Sequence, residues 1–518
     1  MSDDPIERLR RICLALPEAS EKRAWGDPTF RVRDRIFAMP KSGDGRLSVW
    51  MKAPPHAQEI LIGADPARFF APPYVGPKGW VGMRLDAAPD WEEVRALVTR
   101  SYRLIAPKRL AARVAKSAMR IELASNGIPI DRDAMTNSQK ISRRVQAVAP
   151  FLAMDVMAAA AAKVRAGDSV IRMEVGQPSA PAPRAVIAAA QSALADGRVP
   201  YTEALGMPAL RERIARHYAE TYGVAVAPER VVVTTGSSAG FVLAFLALFD
   251  AGARVAVPQP GYPAYRSILH ALDLVPVPLV LRRADRFAPT SALIREAENL
   301  DGVLVMSPAN PSGTVIAPAR LAELCATTKA LGLPFISDEI YHGLSYGVPT
   351  ATALQFDPDA VVINSFSKFY CMTGWRVGWM VVPETLVRPI ERLAQNLYIS
   401  APYLSQVAAL TAFDTLDAIG AIRDGYAENR KILLDALPGL GLGEAHPVDG
   451  AFYLYADVGR LTDDATAFCR RMLDEAGVAA TPGLDFDPAQ GHHHVRFSFA
   501  GSQGECTEAV RRLRAWLC

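Results

Sequence analysis

The sequence predicts a small α+β domain followed by a large α/β domain, whose sheet is mostly parallel and which ends in a smaller α/β portion. Three observations support this fold class. The chain has 518 residues, more than one domain usually holds. From Ser142 onward, short apolar segments alternate with helical ones, as in a parallel sheet covered by helices. Glycine, proline, asparagine and aspartate recur through residues 118–140, which predicts a linker between domains at 1–117 and 141–518.

Composition restricts the class of protein. Half of the residues are hydrophobic, which is enough for large cores. The N-terminal segment MSDDPIERLRR lacks the apolar centre of a signal peptide, and no apolar run reaches the ~20 residues of a membrane span. The six cysteines are scattered without a CxxC pair, which argues against a disulfide framework or a zinc site. We therefore expect a cytoplasmic protein.

The first 117 residues have the pattern of a separate α+β unit. Ile6, Leu9, Ile12 and Cys13 would share one face of a helix. The predicted elements are the helix Pro5–Leu16, the strands Thr29–Val32, Arg35–Met39 and Leu47–Met51, and the helix Trp91–Tyr102.

Alternating segments continue through the rest of the chain, and the smaller α/β portion is predicted from about Gly439. The predicted strands are Val170–Val175, Val231–Thr234, Arg254–Val257, Val303–Met306, Phe335–Ser337, Ala360–Ile363, Phe452–Tyr455 and Val495–Phe499. The predicted helices are Phe241–Phe249, Glu384–Leu397, Ala421–Leu437, Ala465–Ala476 and Glu505–Trp516.

Lys368 lies just past the predicted strand Ala360–Ile363, at the end where open α/β sheets bind their ligands. A lysine in such a crevice can lose its proton and form a Schiff base with a carbonyl group. Ser365 and Arg376 flank it with a hydroxyl and a fork-shaped cation, which suit a phosphate. An aldehyde that carries a phosphate points to pyridoxal phosphate. The alternative is a solvated lysine in a surface loop.

A second phosphate contact is predicted after the strand Val231–Thr234. Gly236, Ser237 and Ser238 come between this strand and an apolar helix. Such a junction directs backbone N–H groups and the helix dipole towards an anion. Glycine–serine turns before helices are common, so the motif does not identify a ligand by itself.

The motif Ser365-Phe366-Ser367-Lys368, followed by TGWRVG, resembles the cofactor-lysine signature of the class I/II aminotransferases, a group of fold-type-I pyridoxal-phosphate enzymes. Further motifs match in the same order from about Ser142 to the C-terminus. The resemblance implies that Lys368 forms the Schiff base and shuttles a proton. The cofactor contacts that it implies are Tyr262 on the ring, Asn310 and Tyr341 at the phenolic oxygen, and Asp338 at the pyridinium nitrogen, where a carboxylate favours the protonated ring.

The resemblance also implies how substrate is held. Gly176 would lie beside the substrate carboxylate with Asn310, and Arg496 would bind that carboxylate bidentately. Tyr201 matches a tyrosine that reaches the phosphate of a neighbouring subunit, which implies a homodimer. Without the resemblance, a turn, a packed tyrosine and a strand-edge arginine would explain these residues, and Asp338 could be a helix cap.

The N-terminal unit resembles a second family. The strings PYVGPKGWVGMRLD, DWEEV and SYRLIAPKRLA are similar to the MmcQ/YjbR family, which is often labelled DNA-binding by fold analogy. Residues 1–134 carry a net charge of +6 and the remainder −3, which permits a polyanionic partner. No helix-turn-helix pattern is evident, and a solvated face is the favoured explanation for the basic residues Lys78, Arg84, Lys108 and Arg109.

Together these patterns predict a pyridoxal-phosphate-dependent aminotransferase that moves an amino group between an L-amino acid and a 2-oxo acid. Two alternatives are a lyase on the same scaffold, which the same residues would serve, and a cofactor-sensing DNA-binding regulator, whose N-terminal domain would carry a helix-turn-helix. No second arginine marks a dicarboxylate substrate. The run His492–His494 would alternate between the faces of a strand and suits one metal ion poorly, so no metal site is predicted.

Overall fold

The computed structural model describes residues 4–24, 26–41, 46–53, 57–86, 89–107, 110, 142–443 and 445–517. The chain divides into two compact units, Met1–Ser138 and Gln139–Cys518. The linker predicted over residues 118–140 lies outside the described residues. Each unit is described by itself below.

The N-terminal unit contains an antiparallel six-stranded sheet in the order β1-β2-β3-β4-β6-β5. Its strands are β1 (Ala19–Ala24), β2 (Asp27–Val32), β3 (Arg35–Lys41), β4 (Ser48–Lys52), β5 (Phe69–Phe70) and β6 (Trp80–Arg84). Its helices are α1 (Pro5–Leu14), α2 (Ala57–Ala64) and α3 (Trp91–Ile105). Leu9, Ile12 and Cys13 of α1 are buried, as the helical spacing predicts, and Phe37 packs edge-on against Tyr102 at 5.2 Å between ring centres.

A seven-stranded sheet forms the centre of the second unit, in the order β10-β9-β11-β12-β13-β14-β8. The pairs from β10 to β13 are parallel, whereas β14 is antiparallel to both of its neighbours. The sheet is therefore mostly parallel, as predicted. Its strands are β8 (Val231–Thr234), β9 (Arg254–Gln259), β10 (Val275–Val280), β11 (Gly302–Met306), β12 (Phe335–Asp338), β13 (Val361–Ser365) and β14 (Gly378–Val381).

Helices cover this sheet because its central strands are buried on both faces and need apolar partners. The helices of this part of the chain are α4 (Arg143–Ala147), α5 (Leu152–Arg165), α6 (Arg184–Ala195), α7 (Pro208–Tyr222), α8 (Ser237–Leu248), α9 (Pro263–Ala271), α10 (Ser291–Glu296), α11 (Pro318–Ala330), α12 (Glu384–Leu397), α13 (Tyr403–Ala412) and α14 (Leu416–Ala436). Helix α8 begins at Ser237, earlier than predicted. It packs closely on the sheet at Gly240, where an added Cβ would lie 3.3 Å from the side chains of Ile363 and Met380.

The C-terminal segment forms two smaller sheets. Strands β15 (Tyr453–Asp457), β17 (Thr481–Pro482) and β18 (His494–Ser498) are antiparallel, whereas β7 (Ile171–Arg172) pairs in parallel with β16 (Val478–Ala479). Helices α15 (Ala465–Ala476) and α16 (Gln503–Leu517) pack beside them. Strand β7 is shorter than the strand predicted over Val170–Val175. Beyond it the chain leads to Gly176, whose carbonyl oxygen accepts a hydrogen bond from the side chain of Lys368.

Candidate active site

A cavity of about 220 Å³ lies where the central parallel strands end. Strands β11, β12 and β13 run side by side in one direction, so the loops that follow them emerge at one edge of the sheet. These loops carry Asn310, Tyr341 and Lys368. The residues that line the cavity are Phe151, Ala153, Met154, Val175, Gly176, Gln177, Ser237, Ser238, Tyr262, Asn310, Ile340, Tyr341, Ser367, Lys368, Thr373, Arg376, Tyr453 and Arg496.

The amine of Lys368 lies in the cavity and has a lowered pKa. Its Nζ donates a hydrogen bond to the carbonyl oxygen of Gly176 at 2.6 Å. Burial and, to a smaller extent, the nearby charges of Arg496 and Arg376 together lower the pKa of Lys368 to about 8, against a smaller opposing effect of Asp338. A substantial fraction of this amine is therefore neutral near pH 8, which is the form that attacks carbonyl groups.

Asp338 is fully buried at the end of β12. The hydroxyl of Tyr265 donates to its Oδ2, and the Ile340 N–H donates to its Oδ1 at 3.1 Å. Burial nevertheless raises the pKa of Asp338 to about 7, while both hydrogen bonds act to lower it. A carboxyl group in this state gains most from a cationic N–H partner. Tyr265 was not predicted, although it lies three residues after Tyr262, on the same side of helix α9.

One corner of the cavity is built for an anion. Gly236 has a φ of +80° and comes directly before α8, and a side chain there would collide with the Arg376 guanidinium at 2.5 Å. Ser237, Ser238 and Ser367 also line this corner. The first turn of a helix leaves N–H groups without partners inside the helix. Hydroxyls, a helix start and one guanidinium therefore lie close together, and their role in holding a phosphate stays a prediction.

Arg496 is 2% exposed, and its guanidinium is firmly placed. Nη1 donates to Asn310 Oδ1 at 3.0 Å, and Nη2 donates to the Glu174 carbonyl oxygen at 2.6 Å. The planar group lies against the rings of Tyr453 and Phe486, with its central carbon 4.3 and 4.6 Å from the ring centres. Its buried Nε has no hydrogen-bond partner among the described residues. Leaving such a donor unpaired is costly.

Tyr453 is a cavity residue that the sequence did not reveal. Its hydroxyl shares a hydrogen bond of 2.5 Å with the hydroxyl of Tyr341. The same hydroxyl occupies the space beside Gly176, where an added Cβ would lie only 1.7 Å away. The pattern of β15 alone indicates a core strand, and nothing in it distinguishes a tyrosine that packs from one that also faces a cavity.

Comparison with known proteins identifies the second unit. The sequence profile for aminotransferase class I and II matches residues 168–513. The chain belongs to the class I and II aminotransferases. A second profile, YjbR, matches residues 14–104, so the N-terminal part of this aminotransferase is a YjbR domain. The aminotransferase therefore transfers amino groups between amino acids and 2-oxo acids, and enzymes of its family generally depend on pyridoxal phosphate.

Individual relatives agree with this assignment. The aminotransferase is 50% identical over 376 residues to a valine–pyruvate aminotransferase of Mycobacterium tuberculosis (strain ATCC 25618 / H37Rv), over 71% of this chain and 97% of that protein. A crystal structure of an aminotransferase from Mycobacterium tuberculosis shares 48% identity, with a TM-score of 0.72 over 73% of this chain and 99% of that one. Aspartate aminotransferase from Thermus thermophilus with maleate shares 30% identity, with a TM-score of 0.69 over 73% and 100%.

Four predicted cofactor residues of the aminotransferase are not among the residues that line the cavity, namely Tyr201, Gly236, Asp338 and Ser365. Tyr201 is 78% exposed on the surface of the single chain. Ser365 is buried, and its hydroxyl oxygen lies 2.9 Å from Ser367 Oγ and 3.3 Å from the Val377 carbonyl oxygen. Ser367 in turn accepts from Arg376 Nη1 at 3.5 Å. Their roles remain predictions, with Ser365 one hydrogen bond away from the lining.

The histidine run of the aminotransferase has a packing role in the structure. His494 begins β18 and stacks on Tyr455 with 4.8 Å between ring centres. Within the described ranges, no three His, Cys, Asp or Glu side chains are arranged to hold a metal ion. In the same ranges, no helix is both long and apolar enough to cross a membrane.

Proposed function

We propose that this chain binds pyridoxal phosphate at Lys368 and exchanges the amino group of an amino acid with a small apolar side chain for the oxygen of a 2-oxo acid. The observation that carries the proposal is the amine of Lys368, whose pKa is lowered to about 8 and which shares one cavity with an anion corner. Asp338 lies close enough to this amine to influence its pKa, which brings the third required group to the same place.

The residues present fit this cofactor. Ser237, Ser238 and Arg376 would hold its phosphate, because they combine a helix start with a guanidinium. Asp338 would accept a hydrogen bond from its ring nitrogen, and Tyr262 would lie against its ring. Asn310 and Tyr341 would contact its phenolic oxygen. Bound pyridoxal phosphate supplies an electron sink for the negative charge that develops at the substrate α-carbon.

The chain's own residues would perform the remaining tasks. Lys368 can accept a proton as a neutral amine and return it, because its pKa lies close to neutral pH. Arg496 would bind the substrate carboxylate, since it lines the cavity and its guanidinium carries N–H donors that suit a carboxylate. Gly176 keeps the backbone close to Lys368 through its carbonyl oxygen, which would stabilise the protonated amine between transfers.

The substrates follow from similarity and from the lining. The relative with 50% identity is named a valine–pyruvate aminotransferase, so valine with pyruvate is the first pair to test here. Apolar side chains in the lining agree with an aliphatic donor. The direct experiment incubates the purified protein with a panel of amino acids and 2-oxo acids and identifies the products. Transamination of aliphatic donors is expected, whereas release of ammonia with no new amino acid would contradict the proposal in favour of a lyase.

Cofactor attachment has a separate test. Borohydride reduction of the protein loaded with pyridoxal phosphate should leave the pyridoxyl group on the peptide that contains Lys368. A label on any other lysine would contradict the assignment.

We also propose a homodimer in which Tyr201 serves the partner's site, because this tyrosine is exposed in the single chain. Mixing Tyr201→Phe subunits with Lys368→Ala subunits tests the arrangement. If Tyr201 acts across the interface, mixed dimers contain one intact site, so activity should rise above that of either parent. If it acts within its own chain, no recovery is expected.

A further inference from the structure

The cavity has an apolar wall whose individual residues have no role assigned above. Phe151, Ala153 and Met154 contribute to this wall at the start of helix α5, together with Val175 and Ile340. Phe151 also packs edge-on against Tyr262, with 6.1 Å between ring centres. Among the described lining residues, the positively charged ones are Lys368, Arg376 and Arg496, and each already has a role. A substrate side chain that meets this wall therefore meets hydrocarbon and no free cation.

The start of α5 is held by one side chain from far along the sequence. Asp485 is 4% exposed, and its two carboxylate oxygens accept the N–H groups of Leu152 and Ala153, each at 3.0 Å. A buried carboxylate at a helix N-terminus satisfies two N–H groups that the helix leaves unpaired, and it interacts favourably with the helix dipole. Phe151 and Met154 flank these two anchored residues directly in sequence.

The loop that carries Asp485 is itself fastened to the large sheet unit and to the carboxylate-binding arginine. Arg266 of α9 donates to the carbonyl oxygens of Asp485 at 2.7 Å and of Phe486 at 3.1 Å. The ring of Phe486 then lies 4.6 Å from the central guanidinium carbon of Arg496. The loop PGLDFDPAQG therefore touches the group that would bind the substrate carboxylate and, through Asp485, the apolar wall.

We propose that Phe151 and Met154 determine which amino-acid side chains the enzyme accepts, and that Asp485 is the positioning residue that holds this wall at a fixed distance from Arg496. The accepted class is amino acids with apolar side chains of limited length and no distal charge. This inference rests on the proposed transamination reaction, whose substrate preference it makes specific.

Kinetics of three variants test the proposal with alanine, valine, leucine and aspartate as donors. Met154→Ala enlarges the wall, so kcat/KM for leucine relative to alanine should rise about tenfold, the lower range for a change of one or two methylene groups in a pocket. Phe151→Leu tests the same effect at the second wall residue. Asp485→Asn keeps the shape of the side chain but can accept only one of the two N–H groups. The differences in kcat/KM between the apolar donors should therefore become smaller, while kcat/KM for aspartate should stay low.

A second measurement needs neither cofactor nor activity. Hydrogen exchange of the cofactor-free full chain should become at least tenfold faster at the first turn of α5 in Asp485→Asn, with the rest of the unit unchanged. Asp464→Asn is the matched control. Asp464 likewise accepts two N–H groups, from Thr466 and Ala467, but it begins α15, which does not line the cavity. The control should alter exchange only in α15 and leave donor preference unchanged.

The outcomes separate the two proposals. If the wild-type enzyme transaminates none of the donors, the proposed function fails. If it is active but Met154→Ala and Phe151→Leu change kcat/KM for every donor by the same factor, the assignment of the wall is overturned. If Asp464→Asn shifts donor preference as much as Asp485→Asn does, Asp485 stabilises the fold in general and does not position the wall.

Discussion

The two units of this chain place charged side chains in opposite ways. In the described part of the YjbR domain, the buried polar residues are the uncharged Thr29, Ser48 and Ser101, and ion pairs such as Lys22–Asp34 lie at the surface. The aminotransferase unit instead buries Asp338 and Arg496 beside one cavity. Removing a charge from water is costly unless partners compensate for it. The contrast therefore indicates that the second unit gives up some stability to hold ionisable groups beside its cavity.

Replacing the amine of Lys368 should have the largest effect on the activity of the second unit. Lys368→Ala removes the group that would carry the proton, so kcat should fall at least 10²–10⁴-fold, the usual contribution of general acid–base catalysis. Borohydride labelling should disappear with it. Lys329→Ala is a suitable control, because the side chain of Lys329 is 65% exposed. A Lys368→Ala variant with near-normal turnover would contradict the role of this lysine.

Replacing the buried carboxylate of Asp338 should have the second-largest effect on activity. Asp338→Asn keeps the shape but cannot hold a positive charge on a ring nitrogen, so activity should fall about 100-fold, comparable to removing one preorganised electrostatic partner. Cofactor content, measured by absorbance, should persist. Tyr265→Phe should have a smaller effect in the same direction, since loss of its hydrogen bond raises the pKa of Asp338 further and leaves less carboxylate ionised below pH 7. If Asp338→Asn were as active as the wild type, Asp338 would have only the structural role of a helix cap.

The cationic surroundings of Lys368 can be tested in the cofactor-free protein. Arg376 lowers the pKa of Lys368, so Arg376→Gln should raise this pKa above its value of about 8. Less of the amine is then neutral at pH 8, and its reaction with an amine-modifying reagent should need a higher pH. The measurement is the pH profile of labelling at the Lys368 peptide. Arg388→Gln, at an exposed arginine paired with Glu391, should leave the profile in place. An unchanged profile in Arg376→Gln would contradict the electrostatic explanation.

Removal of the YjbR domain should have the smallest effect. We expect residues 141–518 alone to bind cofactor and to transaminate within about twofold of the full chain, because the cavity lining comes wholly from the second unit. We also expect the domain to add no sequence-specific binding to duplex DNA, since charge alone gives salt-sensitive, non-specific affinity. A folded but inactive truncation would show that the YjbR domain is needed for activity. Sequence-dependent retention of DNA by the full chain near physiological salt would contradict the expectation for DNA binding.

The strands of the large sheet could be predicted closely, because buried parallel strands are continuous apolar runs. Strand β8 was predicted with its observed bounds, and β11 differs by one residue. In the YjbR domain, β1 was missed because its sequence, ASEKRA, belongs to an edge strand whose residues are exposed or only partly buried, so no apolar alternation marks it. Helix α5 is not among the predicted helices, and nothing local in the sequence indicates that its first turn is tied to Asp485.

The cavity was predictable to the extent that its residues lie in recognisable motifs. Lys368, Asn310 and Arg376 were found in this way, and the structure brings them to one cavity. Tyr265, Tyr453 and Asp485 were not found, because each acts through a contact with residues distant in sequence. For Tyr453 the separation from Tyr341 is 112 residues, and for Asp485 the separation from Ala153 is 332. Pairings over such separations leave no periodic signal in a single sequence.

The close approach of Tyr453 to Gly176 has a consequence for mutational tolerance. The tyrosine hydroxyl lies 1.7 Å from the point where the first side-chain carbon of any other residue would be placed. Position 176 consequently has no conservative replacement, since alanine and tryptophan introduce the same first collision. In a library randomised at this codon and selected for growth on the enzyme's activity, glycine should be the sole survivor. Pairing the library with Tyr453→Gly or Tyr453→Ala should readmit small residues.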